Sequence, residues 1–492
     1  MEQPYEKIGK QLGFSYAVTF SQLILAPLLV GLLTRVLEPG RYGVYALLFA
    51  FISLGASVLQ LGMSQYIITK LYSFKEKEWP QRFFTVLSGV LIILLAFSAV
   101  FYFTPVSGYF LSSIKITGYS TILVLSLLAL VFVTIGRIYD YYYKARQKIN
   151  IANFMELLRS QCMALPLLLL FILYGKFSLA QVFISWAALS MLSVAIYAWL
   201  DRKDVFAFLK SGGPQKNYLP NAVKFGLPVT GSAIFSWALA YIDRYMLGFY
   251  TTTTFVGIYA VASSILGVIL SFSVATSGVI FPYFAEAWWK QKEKYKTFLN
   301  ATLKYGLIGL IPGIIGAIVL GPEIITLLAG PKYLAAAPII LVLSPFPILA
   351  FMIGTFGNYL FLQDKPRFIL YTGAIGAFLV VILNIFLVPR YGMTGAALAT
   401  VFSNFAVLII LVKESKGWKL LDFAYLKIGR ITFSALLMGA LLSFLNPADI
   451  ASKLAVILSG IGIYLGLLFL TKVFNEKEMG ILRPIFRLDK AQ

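Results

Sequence analysis

Two residues of opposite charge, Glu156 and Arg159, stand three positions apart inside an otherwise apolar stretch. Charged groups in hydrocarbon are expensive, so such a pair either neutralises itself or marks a path for something charged. Entering the stretch from Asn150, the two lie about 9 and 14 Å along a helix that rises 1.5 Å per residue. A spacing of three puts them on one helix face. One reading is a structural ion pair between packed helices. The other is a cationic anchor for a phosphate, with Glu156 holding or switching Arg159. A guanidinium fork takes two phosphate oxygens at once and stays charged at depth.

Arg35, Asp243 and Arg244 form a second set, at corresponding ends of two other apolar stretches. Long basic side chains at such ends can simply snorkel to the interface. The alternative is that they line or latch the mouth of a passage. Asp243 and Arg244 are adjacent and point about 100° apart on a helix, so they do not pair as residues three apart would. Asp243, an acid among cations, is the candidate to meet Arg35.

The remaining composition excludes most other chemistry. There is no His and one Cys, Cys162, which rules out a disulfide framework and any ordinary zinc or Cys/His catalytic site. No GxxxxGK[ST] stretch is present to cradle a nucleotide phosphate. No pair of carboxylates is spaced for glycoside hydrolysis. The reading is a protein that is not an enzyme and uses no cofactor or metal.

The elements that must position these residues are membrane spans. Of the 492 residues 60% are hydrophobic, and the mean hydropathy is +0.85, more than a soluble domain of this size carries. About fourteen apolar runs are long enough to cross a bilayer as helices. They cover 12–34, 43–68, 82–103, 119–139, 151–173, 179–200 and 221–248, then 255–281, 299–320, 334–360, 368–388, 393–412, 428–446 and 453–472. Most of the 41 basic residues fall at the two ends and in alternate turns, which places both ends in the cytoplasm and the chain in the cell (inner or plasma) membrane. A net charge of +21 would point to nucleic acid in a soluble protein. Here the basic residues flank spans, where they set topology and meet anionic lipid headgroups, and nucleic acid is excluded as a partner. Arg137, Lys144, Arg146 and Lys148 accompany Tyr139, Tyr141, Tyr142 and Tyr143, while Lys290, Lys292, Lys294 and Lys296 follow Trp288-Trp289. Both groups read as inside charge with an interfacial aromatic belt. The first run is longer than a signal-peptide core and reads as a retained helix. Pro27 within it permits a bend.

The chain also repeats. Phe14 and Val18-Thr19 recur as Phe225 and Val229-Thr230, and Arg35 as Arg244. Gly43-Val44-Tyr45 recurs as Gly257-Ile258-Tyr259, and Tyr174-Gly175 as Tyr391-Gly392. Six spans per repeat is an even number, so both halves enter the membrane in the same sense. The expected organisation is all-α: an N-lobe over 1–210 and a C-lobe over 211–425, joined through Gly212-Gly213-Pro214, with two further helices and a tail over 426–492. Parallel repeats of this kind build transporters whose substrate path lies between the halves and opens alternately to either side.

Several stretches carry a family resemblance. Thr34 to Leu47, which reads TRVLEPGRYGVYAL, resembles the loop after the first helix of Wzx-type polysaccharide transporters, the oligosaccharide flippases of the multidrug/oligosaccharidyl-lipid/polysaccharide exporter superfamily. Asp243-Arg244 with Leu247-Gly248 and Gly257-Ile258-Tyr259 resembles that family's seventh-to-eighth helix passage, and Pro282 closes the eighth as it does there. Gly330-Pro331-Lys332-Tyr333 resembles the ninth-to-tenth loop. Asn384, Leu387, Pro389, Tyr391-Gly392, Gly395-Ala396-Ala397 and Thr400 resemble its most recognisable stretch.

The resemblance implies two six-helix lobes around a central cavity and a polyprenyl-(pyro)phosphate-linked oligosaccharide as cargo. It further implies cationic residues meeting the phosphates, an H+ or Na+ gradient as drive, and polysaccharide polymerase machinery as a neighbour. The body of the first helix lacks an Arg, which sets the chain apart from the lipid II flippase branch. A drug or organic-cation/proton antiporter of the same superfamily, or a non-transporting scaffold of a polysaccharide assembly complex, are the alternatives.

Overall fold

A bilayer core offers backbone N–H and C=O groups no partner but each other, so apolar runs in it become helices. The computed structural model describes residues 24–116, 120–210, 218–290, 295–363, 365–417, 425–445 and 449–471, with 18, 21, 22, 447 and 473. Among these residues every α element is a helix and no strand occurs. In chain order they are α1 (Ile24–Val36), α2 (Pro39–Val58), α3 (Met63–Lys70), α4 (Trp79–Phe103), α5 (Val106–Ser113), α6 (Ser120–Ala145) and α7 (Ile149–Ser160). There follow α8 (Ala164–Tyr174), α9 (Leu179–Leu200), α10 (Arg202–Lys210), α11 (Leu219–Tyr250), α12 (Thr253–Lys290) and α13 (Tyr295–Val319). The last are α14 (Gly321–Leu328), α15 (Ala337–Leu343), α16 (Phe346–Leu362), α17 (Pro366–Glu414), α18 (Tyr425–Ser443) and α19 (Ile450–Leu470).

The protein is a multi-pass helical membrane protein. Ten helices among the described residues are long and apolar enough to span, and the α15–α16 pair, bent by 48°, makes an eleventh. One of the ten, α17, covers two of the runs read from sequence. Gly392 breaks it at φ 55° and ψ −129°, a backbone region open essentially to glycine alone. A Cβ placed on Gly395 would overlap the Leu387 carbonyl. Residues eight apart in a straight helix stand about 12 Å apart, so the chain turns back on itself at Gly392. The first run lies partly outside the described residues, as do the Gly212-Gly213-Pro214 linker, Lys292 and Lys294.

The chain forms two compact units, one of residues 1–261 with 370–403 and the other of 262–369 with 404–492. The divisions fall inside α12 and α17. Close helix approach in the first unit depends on glycine. A Cβ on Gly43 of α2 would overlap the Thr253 carbonyl of α12, and one on Gly257 would overlap the Pro39 carbonyl. These are the two glycines matched by the sequence repeat, now packed against each other as repeat partners. Gly62 and Gly226 make the same kind of contact near the other end of α2. Small residues do this in membranes because packing between backbones replaces a hydrophobic driving force. In the second unit Leu320, Ile431, Ala435, Met438, Leu442, Tyr464 and Leu468 form a buried cluster of α13, α18 and α19. Tyr464 seals it by donating to the Ile308 carbonyl at 2.9 Å.

Three of the four tyrosines after the fourth run do not join the expected aromatic belt. Tyr139, Tyr142 and Tyr143 are at most 2% exposed. Tyr142 stacks on Phe83 of α4 at 3.9 Å, and Tyr139 stacks on Tyr197 of α9 at 4.8 Å. Their spacing along α6 turns them toward neighbouring helices rather than lipid headgroups, and the Tyr143 hydroxyl finds a partner there in Asp201.

Candidate functional site

α6 carries Gly136, Asp140 and Tyr143 at helix spacing, all buried. α9 carries Ser190, Ser193 and Tyr197 at matching intervals, with Asp201 just past its end, and these too are buried. The two polar stripes join. Tyr197 donates to Asp140 Oδ1 at 2.8 Å, and Tyr143 donates to Asp201 Oδ1 at 3.0 Å. Arg146 reaches the same Asp201 oxygen at 3.4 Å. Burial pushes the Asp201 carboxyl above its usual range, against the pull of the Tyr143 and Arg146 donors.

α7 lays Arg159 onto these stripes. Its Nη2 donates to Asp140 Oδ2, and its Nη1 lies 3.5 Å from Ser193 Oγ. Both ionic side chains are 4% exposed. Gly136 makes the room, since a Cβ there would stand 2.8 Å from Arg159 Cδ. The expected pairing of Glu156 with Arg159 is therefore corrected. Glu156 is 48% exposed and bonds to Lys144 Nζ at 3.1 Å. A guanidinium this buried needs an acid that is buried with it, and Asp140 supplies one from the facing helix.

The second set gathers on α11. Asp243 is buried, with Oδ2 accepting from Tyr259 Oη at 2.6 Å and from Thr400 Oγ1 at 3.4 Å. Its Oδ1 accepts the Arg244 backbone N–H at 2.7 Å. The expected contact with Arg35 does not form. Arg35 is exposed near the end of α1, whereas Asp243 faces α12 and α17. No cation of the described residues forms an ion pair with Asp243. Arg244 turns the other way, its guanidinium 4.9 Å above the Tyr241 ring and its Nε buried without a hydrogen-bond partner.

Aromatic side chains surround that side of α11. Phe49 stacks on Trp186 at 5.4 Å and meets Tyr241 at 6.3 Å. Trp237 and Tyr245 tie α11 to α2 by donating to the Ala50 and Leu47 carbonyls at 2.9 and 2.8 Å.

The two sets differ in chemical capacity. Arg159 and Asp140 neutralise each other. Arg244 leaves its Nε without a hydrogen-bond partner, and Asp243 is met by two hydroxyls and a backbone N–H with no cation among the described residues paired to it. Among the described residues no group of three or more His, Cys, Asp or Glu could hold a metal ion. Asp140, Tyr197 and the α9 serines were missed from sequence. The signal was there, as polar residues recurring at intervals of three and four through apolar runs, but it needed the partner helix to give it meaning.

Comparison with known proteins adds four findings. A probable low-salt glycan biosynthesis flippase, Agl15 of Haloferax volcanii, is 27% identical over 247 residues, 49% of this chain and 50% of that protein. The chain thus spans about half the length of that relative. A probable flippase, AglR of the same organism, is 24% identical over 446 residues, 81% of each. The fold is similar to that of the lipid II flippase MurJ in an inward closed conformation, with a TM-score of 0.75, 19% identity and coverage of 92% of this chain and 97% of that one. The profile described as polysaccharide biosynthesis protein matches residues 8–288, more than half of the 492, and the chain belongs to that family.

Proposed function

We propose that the protein is a flippase that carries a polyprenyl-(pyro)phosphate-linked oligosaccharide from the cytoplasmic to the outer leaflet of the cell membrane. The N-lobe (1–210) and the C-lobe (211–425) alternate access to a path between them, with both chain ends in the cytoplasm. The observation that carries this reading is Arg244. A guanidinium on a membrane-spanning helix, with a buried donor unpartnered, is held at an energetic cost that an anionic headgroup removes. The aromatic side chains beside it suit the faces of sugar rings. Arg35 belongs to the mouth of the path. Arg159, held by Asp140, and Glu156, held by Lys144, contribute after those partners release them.

Asp243 supports the coupling step. Its carboxylate, set between two hydroxyls with no cation, takes up the driving H+ or Na+. The same observation favours a second reading, an organic-cation/proton antiporter, in which the acid binds the cargo instead.

The experiment is reconstitution in liposomes with a fluorescent polyprenyl-pyrophosphate oligosaccharide, reading its accessibility to an outside quencher. The flippase gives protein-dependent crossing that Arg244→Ala lowers by about tenfold or more, the size of one charge-assisted contact. Crossing of a lipophilic cation with none of the lipid would establish the antiporter, and crossing of neither would leave a scaffold.

A further inference from the structure

Arg82 stands in the first turn of α4, held by an acid and two rings. Its Nε and Nη2 both donate to Glu78 Oε2, at 3.1 and 2.8 Å. Its guanidinium lies 3.7 Å above the ring of Phe74, in the connection between α3 and α4. It lies 4.9 Å above the ring of Tyr218, the residue just before α11. The two rings meet edge to face at 5.7 Å. Tyr66 of α3 presents its ring to Tyr218 at 5.5 Å and to Phe225 of α11 at 5.4 Å. Backbones close up behind these rings. A Cβ on Gly226 of α11 would overlap the Leu61 carbonyl, and one on Gly89 of α4 would stand 2.8 Å from Leu219 Cδ2. Leu61 and Gly62, at φ 48° and 64°, break the 43–68 run in a backbone region few residues adopt, and α3 starts from that break.

The partners of Arg82 divide by repeat. Glu78 and Phe74 belong with it to the first repeat, whereas Tyr218 opens the second. The basic turns place this end of the helices in the cytoplasm. If α11 withdraws, Arg82 loses one ring and keeps its acid and its other ring, so no bare charge is left behind. The Asp140–Arg159 pair is the opposite case, because parting it strands two buried charges. A contact that separates without exposing a charge is suited to repeated opening.

We infer that Arg82, stacked on Phe74 and Tyr218, is a latch that closes the cytoplasmic end of the path by holding the first turn of α11 against α3 and α4. This rests on the flippase reading above for what the closed end shuts in. Opening toward the cytoplasm is Tyr218 leaving Arg82, with Gly62 and Gly226 parting beside it. Arg82 gates the path and does not contact the cargo, since Glu78 occupies its fork throughout.

The test uses full-length protein in nanodiscs with Cys162→Ser, Lys70→Cys and Lys224→Cys. The new cysteines sit at exposed positions of α3 and α11 and carry spin labels. Pulsed electron paramagnetic resonance should give mostly short distances in this background. R82Q should raise the ratio of long to short distances by about fivefold, the size of one partly buried cation–π contact. Y218L should do the same, and the double variant no more than either alone, because both remove one contact. R82K keeps the Glu78 bond without the planar stack and should open in part; it carries the test if R82Q does not fold. E78Q leaves the rings in place and should open less than R82Q. An unchanged ratio in every variant, or effects of R82Q and Y218L that add, overturns the inference and leaves a static packing contact. The distances need no cargo. Wild type that latches yet carries neither lipid nor cation therefore overturns the flippase reading alone, while crossing by wild type with the ratio unmoved in the variants sinks the latch alone.

Discussion

Arg159 of α7 donates to the carboxylate of Asp140 on α6, nineteen positions upstream, and not to Glu156 three positions away. The consequence is a neutral, fully buried pair that Tyr197 and Ser193 complete from α9. Three helices meet in it, and its charge is closed to any ligand until Asp140 lets go.

Breaking such a pair from one side leaves a bare charge in the interior. Asp140→Ala should lower unfolding stability in detergent by about 3–5 kcal/mol. The double change Asp140→Leu with Arg159→Met should recover most of that loss, because it removes both charges. Glu156→Gln should shift stability by less than about 1 kcal/mol, since its partner contact is half exposed. A large loss in Glu156→Gln would mean that the closing acid has been misidentified.

The contact between Gly43 and Gly257 tolerates no side chain. A pair of cysteines at Gly40 and Thr254, where a Cβ added to Gly40 would stand 3.3 Å from Thr254 Oγ1 beside the same contact, should cross-link with a short reagent. Adding Gly43→Val should abolish the cross-link by forcing α2 and α12 apart. Undiminished cross-linking in the triple variant would show that the helices do not depend on this approach.

Gly392 permits a sharp turn that other residues resist. Gly392→Ala should destabilise the protein by about 1–3 kcal/mol, the usual penalty for a side chain in that backbone region. Gly316, with open space around it, is the matched control, and Gly316→Ala should be close to neutral. Thermal unfolding of the two variants side by side checks the difference.

Asp243 carries the ion in the proposed cycle. Asp243→Asn should remove the stimulation of crossing by an imposed H+ or Na+ gradient, while some crossing without a gradient persists. Tyr259→Phe, which deletes the 2.6 Å donor, should alter the gradient dependence without abolishing it. Unchanged stimulation in Asp243→Asn would move the coupling group elsewhere.

The Asp449 cap of α19 sets a pH dependence. The Ser452 hydroxyl, with nearby backbone N–H groups, holds the Asp449 carboxyl below the usual carboxylate range. A lowered folded value means the cap is fully present above the unfolded value of about 3.9 and is lost as pH falls through the lower folded one. Amide protection at Ala451 and Ser452 should therefore exceed that of Asp449→Ala from neutral pH down to about pH 4, with the difference vanishing in stronger acid. A difference that persists there would assign the protection to something other than the carboxylate.

Much of the fold was legible in the order of residues. Apolar runs read as spans reappear as α4, α6, α9, α11 and α13, because in hydrocarbon a long apolar run has one way to satisfy its backbone. The break at Tyr391-Gly392 was visible as well, since a turn at positive φ selects glycine. The site was legible only in part. Arg159, Asp243 and Arg244 stood out because charge inside a span is rare. Their partners did not, because Asp140, Tyr259 and Thr400 lie far from them in sequence and reach them only through helix packing.

The sequence by itself determined that this is a helical membrane protein built on a repeat, and which charged residues it keeps among its spans. Hydrophobicity and charge are properties of single residues and short windows, so no partner is needed to read them. Tertiary structure alone decided which charges are neutral and which are open. Asp140 closes Arg159, Lys144 takes Glu156, and Arg244 is left over an aromatic ring with a donor to spare. Whether a buried charge is compensated depends on what a neighbouring helix presents at a few ångströms, and helical spacing within one span cannot specify that.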